Sequence, residues 1–132
     1  LLGWAFKKDT NDSRESAAIY VADSLLEEGA ELHIFDPMVN ETQIYQDLST
    51  LWEARNKSSK EIESKLKRCF VHQNHNVALD SSFAAAILTE WDEFISYDWE
   101  AIADQMMPEG IVFDGRNITS PNEKVNQYFL GK

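Results

Sequence analysis

Two kinds of stretch take turns along this chain. Leu1 to Phe6, Phe83 to Leu88 and Ile111 to Phe113 are short apolar runs of strand length, and runs this continuous suit parallel strands covered on both faces. Glu31 to Phe35 reads as a further strand, and Phe70-Val71 as an edge strand. Between them the spacing changes to that of helices. Arg14 to Glu28 carries Ala18, Val21, Ala22 and Leu25 at three-to-four intervals and stops at Gly29. Asn40 with Gln43 three later resembles a cap and its partner for a helix through about Leu48. Ser58 with Glu61 starts another, running to about Arg68. Asp98 caps a helix with Trp99, Ile102, Ala103 and Met106 as its buried stripe, closed by Pro108 and Gly110.

Three stretches are less patterned. Ser49 to Lys57 has no clear period, Asn76 to Ser82 is a short helix or turn, and the tail from Asn117 to Lys132 predicts a short helix over Glu123 to Phe129 and a loose end. Strand alternating with helix predicts the fold class: α/β, an open, mostly parallel Rossmann-like sheet with helices on both faces. Residues 1–132 are expected to form one domain, with 117–132 as a C-terminal tail.

Sheets of this kind bind ligands outside the carboxyl ends of their strands, where strand order reverses. Phe6-Lys7, Asp36, Thr89-Glu90 and Gly115-Arg116 all fall at such ends. Lys7 and Lys8 close the first strand. Asp9-Thr10-Asn11-Asp12-Ser13 is then dense in turn formers, and Asp12 with Glu15 reads as a cap and its partner, so that a helix starts near Ser13. This places Arg14 in a first helical turn beside two lysines, a concentration of positive potential suited to phosphate. An ordinary solvated turn is the alternative. If the first and last strands border one crevice, Lys7 and Arg116 face a common anion. Gly115 lets the chain turn sharply, and Arg116 projects a planar fork that fits phosphate or a carbonyl. Neither GxGxxG nor GxxxxGK[ST] occurs.

The net charge of −11 excludes nucleic acid and anionic membrane as partners, since both need a basic surface. It does not exclude an anionic ligand, because the few cations are clustered. Six of the twelve Lys and Arg fall between Arg55 and Arg68, where a solvated charged face is the plain reading. Lys7, Lys8, Arg14 and Arg116 stand at the two strand ends. A single cysteine, Cys69, rules out an intrachain disulfide and suits a reducing compartment. No apolar run approaches the roughly 20 residues of a membrane span, and no secretory leader is seen, so a cytoplasmic location is expected. A first residue that is not Met, already inside a strand, predicts that a longer polypeptide contains this chain.

Other chemistry is weaker. Cys69, His72 and His75 are spaced three apart, but a zinc site also needs a fourth ligand or a held water, and the neighbours read as an edge strand. Asp36 after a strand is read as a turn former rather than a ribose ligand, because no glycine fingerprint precedes it. Glu90, Asp92 and Glu93 are read as capping and dipole partners.

GWAFKKDTNDSRES at Gly3 to Ser16 resembles the GFAFKxxTxDxRES motif that opens the C-terminal, UDP-binding domain of the UDP-glucose 6-dehydrogenase family, within the UDP-glucose/GDP-mannose dehydrogenases. FDGRN at Phe113 to Asn117 is similar to that family's FDGR. HIFDP at His33 to Pro37 and LTEWDEF at Leu88 to Phe94 fall between them in the family's order. The resemblance implies that Phe6, Lys7 and Arg116 contact a UDP-sugar and that Arg14 reaches the pyrophosphate of NAD. It implies an NAD-dependent enzyme that turns UDP-glucose into UDP-glucuronate, a homo-oligomer when full length, with NAD bound mainly by an N-terminal half.

That family's catalytic cysteine lies in a GGxCxxKD-type motif, which is missing here, so the resemblance assigns this chain no catalytic residue. Asn11 stands where many members have glycine, and Asn117 where many have a second arginine. A non-catalytic assembly module and a receiver-like module are the rival expectations. The second should cluster acids for Mg²⁺ at strand ends, whereas this first strand ends in lysines.

Overall fold

Six backbone segments run parallel in the computed structural model, which describes residues 1–131. β1 (Leu32–Ile34) pairs with β2 (Cys69–Val71), and β3 (Ala84–Ile87) pairs with β4 (Ile111–Asp114), which pairs in turn with β5 (Gln127–Phe129). The opening residues join the two groups. Leu2 bridges Phe35 on one side and Ile87 on the other. Its amide donates to Ala86 and its carbonyl accepts from Leu88, while Gly3 donates to Phe35 and Phe35 to Leu1. The spatial order is therefore β2, β1, the opening segment, β3, β4, β5. Strand order reverses between the opening segment and β3, as in doubly wound folds.

The helices are α1 (Ala17–Glu27), α2 (Glu41–Ala54), α3 (Ser59–Leu66), α4 (His75–Leu79), α5 (Asp92–Ile95) and α6 (Trp99–Gln105). The core runs the length of the sheet, with Trp4, Trp52, Phe94, Leu2 and Ile87 among its fully buried side chains. Asn40, Ser58 and Asp98 cap α2, α3 and α6 through their side chains as the sequence predicts.

Four expectations need correction. The opening strand lasts only about three residues, not six, because Gly3 sits at φ 98° and the next two amides leave the ladder for a side chain. Helix α1 starts at Ala17 behind Ser16, not near Ser13: Glu15 is held at φ 58°, and Asp12 accepts from Arg14 instead of capping. Its buried face is Ala18, Ile19, Ala22, Asp23 and Leu26, one step round from the predicted stripe, with Leu25 exposed. Helix α2 continues past Leu48 to Ala54, since Trp52 is fully buried and donates its indole N–H to Asp23.

The tail departs from expectation as well. Residues 127–129 form strand β5 rather than a helix. β4 otherwise has an unpaired edge, and Tyr128 and Phe129 favour a strand that fills it. Tyr128 stacks on Phe113 at 5.6 Å between centroids. Lys132, the end of the predicted tail, lies outside the described residues.

The basic stretch is also more than a solvated face. Arg55 bonds the buried Asp23 at 2.5 Å, Lys65 pairs with Glu27, and Arg68 donates to the carbonyls of Leu26 and Ala30. Arg68 thus takes the Leu26 carbonyl in the last turn of α1 and the Ala30 carbonyl just beyond it, while Arg55 and Lys65 tie the end of α2 and α3 to carboxylates on α1.

Candidate functional site

Because all strands are parallel, their carboxyl ends share one edge. The reversal between the opening segment and β3 places a crevice on that edge, flanked by Trp4–Lys8 and Leu88–Asp92. Asp36 holds this crevice together. Its Oδ2 accepts from the amides of Trp4 (2.6 Å) and Ala5 (2.9 Å) and from the indole N–H of Trp91 (3.2 Å). Its Oδ1 accepts from Met38 (2.8 Å) and Val39 (2.9 Å). One buried carboxylate thus joins the ends of the opening segment, β1 and β3, and ionised acceptors make the stronger hydrogen bonds. The turn-forming reading of Asp36 holds, and with five donors on it no capacity remains for a ribose.

Thr89 ties the same ends from the other side, its hydroxyl donating to the carbonyl of Ala5 at 2.7 Å. This contact leaves no room at Gly3, where an added Cβ would stand 2.5 Å from the Thr89 side chain. Asp47 on α2 anchors the loop that follows: its Oδ2 accepts from the Trp4 indole N–H (2.9 Å) and the Ser13 hydroxyl (2.5 Å). The Phe6 amide donates to the Asp12 carbonyl, closing a loop over residues 6–12.

On this frame the predicted cations are distributed unequally. Lys7 is exposed, and its Nζ sits 5.4 Å from the centroid of the half-exposed Phe6 ring. Lys8 pairs with Asp92 at 3.0 Å. Arg116 follows β4, not the last strand, so β3 separates it from the opening segment and the expected first-to-last pairing is corrected. Its side chain crosses back: Nε donates to the carbonyl of Leu88, at the end of β3, at 2.9 Å.

Asp114 sets the origin of that reach. It is buried, accepts from the Arg116 amide at 3.1 Å and from Ile118, and takes both the amide and hydroxyl of Thr119. Gly115 matters for close approach rather than for a sharp turn. It donates to Ile87, and a Cβ there would meet the Ile87 carbonyl oxygen at 2.8 Å. Arg116 Nη1 and Nη2 bond no protein group among the described residues.

Arg14 stands apart. It precedes α1, its side chain is 88% exposed, and it pairs with Asp12 at 2.7 Å. Hydrogen bonds from Arg14 pull the Asp12 carboxyl down to about 2. The expected meeting of Arg14, the lysines and a helix start is therefore replaced by an Arg14–Asp12 pair ahead of the helix.

Glu90 lies between Thr89 and Trp91 at the end of β3. Its Oε1 is buried and has no hydrogen-bond partner among the described residues. Cys69, His72 and His75 do not converge. The Cys69 thiol is buried and pushed up to about 11 by desolvation, His72 meets His33 at 2.8 Å, and His75 stacks on Tyr97 at 3.8 Å between centroids.

Among the hollows formed by the described residues, two differ in place. The larger, about 450 Å³, lies between α2 and α3, lined by Tyr45, Ile62 and Leu66 among others; Tyr45 donates to the carbonyl of Cys69, at the amino end of β2, and no residue at a strand's carboxyl end lines it. The smaller, about 330 Å³, opens at the carboxyl ends of β1 and β2, lined by residues 35–41, 71–73 and Glu93. The edge on which this second hollow opens is the one that carries the cations, and size alone does not locate a ligand site in this fold. Among the described residues no helix is long and apolar enough to cross a membrane.

Residues 1–121 match the family model described as "UDP-glucose/GDP-mannose dehydrogenase family, UDP binding domain". The chain is 42% identical over 128 residues to a UDP-glucose 6-dehydrogenase of Drosophila melanogaster, covering 96% of this chain and 25% of that protein. It is 39% identical over 140 residues to UDP-glucose 6-dehydrogenase 5 of Oryza sativa subsp. japonica, covering 100% of this chain and 29% of that one. Among solved structures, a UDP-D-ManNAc dehydrogenase from Pyrococcus horikoshii superposes with a TM-score of 0.71 at 25% identity, over 98% of this chain and 24% of that one. The chain thus spans about a quarter of the length of the relatives it matches.

Proposed function

Because this chain belongs to the UDP-glucose/GDP-mannose dehydrogenase family, as its UDP binding domain, we propose that Phe6, Lys7 and Arg116 hold the UDP part of a UDP-sugar at the reversal crevice. The supporting observation is the placement of Arg116: tethered through Nε to the end of β3, with its two terminal nitrogens left for a ligand, on the sheet edge that carries Lys7. A guanidinium held this way meets a diphosphate with two parallel donors, and Lys7 adds a mobile point charge. Phe6 offers an exposed ring beside that charge.

The substrate we assign is UDP-glucose, oxidised to UDP-glucuronate with NAD by the complete enzyme, in which this chain is the non-catalytic UDP-binding part. Cys69, buried with a raised thiol pKa, is suited to the core and not to a nucleophile. Arg14, outside the crevice and largely exposed, is assigned to the NAD pyrophosphate presented by another domain. A cytoplasmic homo-oligomer is the proposed setting. Calorimetric titration of the chain with UDP tests the central assignment. A bond from a charged group contributes about 1.5–3 kcal/mol, so Arg116→Ala should weaken UDP about 10- to 100-fold. Unchanged affinity in Arg116→Ala and Lys7→Ala would overturn it in favour of a module that docks other subunits.

A further inference from the structure

The segment that follows β3 is fastened residue by residue. Leu88 donates its amide to Leu2 and accepts from Arg116 Nε; Thr89 donates to Ala5; Trp91 donates to Asp36. Glu90, in the middle of this run, is the exception: its Oε1 is buried and unpartnered among the described residues. Buried carboxylate oxygens nearly always accept a hydrogen bond, because desolvation without one is costly. The neighbouring cation is already committed, since Lys8 pairs with Asp92. Four bonds fix the residues on either side of Glu90, and this segment stands at the reversal point of a doubly wound sheet, where such folds meet their ligands.

Its sign identifies what it would take. A carboxylate repels the diphosphate that Lys7 and Arg116 attract, so Glu90 fits a neutral donor on the same molecule. We propose that the Glu90 side chain, whose Oε1 is sealed and unpartnered among the described residues, turns into the crevice when a nucleotide binds and accepts a hydrogen bond from its nucleoside, from a ribose hydroxyl or the uracil N3–H, and so selects among nucleotides of equal charge. The crevice then divides into a cationic part for phosphate and an acceptor for the nucleoside. This inference rests on the UDP-binding reading above and adds the basis of its selectivity.

Titration of the chain with UDP, 2′-deoxy-UDP, 3′-deoxy-UDP and N3-methyl-UDP tests it, in wild type and in Glu90→Ala and Glu90→Gln, with thermal melting as the check on folding. Wild type is expected to bind one of the three analogues at least 10-fold more weakly than UDP, and Glu90→Ala to bind that analogue and UDP equally. Glu90→Gln retains an acceptor and should keep part of the discrimination. The analogue that loses affinity identifies the donor. Discrimination unchanged in Glu90→Ala, or tighter UDP binding once the negative charge is gone, would overturn the inference while leaving the UDP site intact. Failure of wild type to bind UDP at all would instead overturn the reading beneath it.

Discussion

Asp36→Asn is the substitution that probes the frame of the crevice most sharply. The side chain keeps its shape but exchanges one acceptor oxygen for an NH₂ group. In the native protein Oδ2 faces three donors, on Trp4, Ala5 and Trp91, and Oδ1 faces two, on Met38 and Val39. Whichever way the amide turns, at least two N–H groups meet an N–H. Each bond to an ionised acceptor is worth about 1.5–3 kcal/mol, and losses within one network are not additive, so a cost of about 3–5 kcal/mol follows. For a domain of this size that lowers the melting temperature by on the order of 15 °C. Urea denaturation followed by tryptophan fluorescence measures it, and Trp4 and Trp91 place reporters on the perturbed bonds. Should the unfolding free energy stay within about 0.5 kcal/mol of wild type, Asp36 does not hold the three strand ends together and the reasoning fails.

Further predictions follow from the same geometry. Gly3→Ala pushes a Cβ to 2.5 Å from Thr89 at φ 98° and should cost about 3 kcal/mol or more, whereas Gly29→Ala, with nothing within 4 Å of the added carbon, should cost less through backbone strain alone; equal melting temperatures would contradict this. Burial, and then the neighbouring His33, holds the His72 pKa below its ordinary value, so the unfolded chain takes up that proton first and stability should fall as pH drops below about 6.5. His72→Gln should flatten the urea-midpoint profile between pH 7 and pH 5, and an identical slope would count against it. Cys69 should react with a disulfide reagent at pH 8 far more slowly in the native protein than in urea; comparable rates would mean the thiol is not buried. In the complete enzyme, Arg14→Ala should weaken NAD more than UDP-glucose, which separate titrations of the two ligands would decide.

Much of the fold is legible because its signals are local. Asn40, Ser58 and Asp98 announce their helices by side-chain chemistry within three residues, and the apolar runs at Phe83 and Ile111 are long enough to read as strands. What escapes the sequence depends on partners far along the chain. Leu25 gives way to Leu26 on the buried face of α1 because Asp23, on the inner side, meets Trp52 and Arg55 from α2. Strand β5 reads as a helix until the bare edge of β4 is known.

The site shows the same division. Lys7 and Arg116 can be singled out from their places at strand ends, but the bond that carries Arg116 over β3 cannot. Asp36 declares itself only as an acid after a strand, and the role of Asp47 in the loop is hidden, since Gln43, one turn back on α2, is its local donor while Trp4 and Ser13, which it anchors, lie far back along the chain.

In the proposed complex a nucleoside diphosphate sits where the sheet reverses, held by cations from two separate strand ends. Backbone amide shifts of the chain, recorded by NMR as UDP is added, test this most directly. Binding at the crevice should give saturable shifts concentrated in residues 5–8, 88–91 and 115–118. Shifts concentrated instead along the α2–α3 groove around Tyr45, Ile62 and Leu66, or none at saturating UDP, would contradict it.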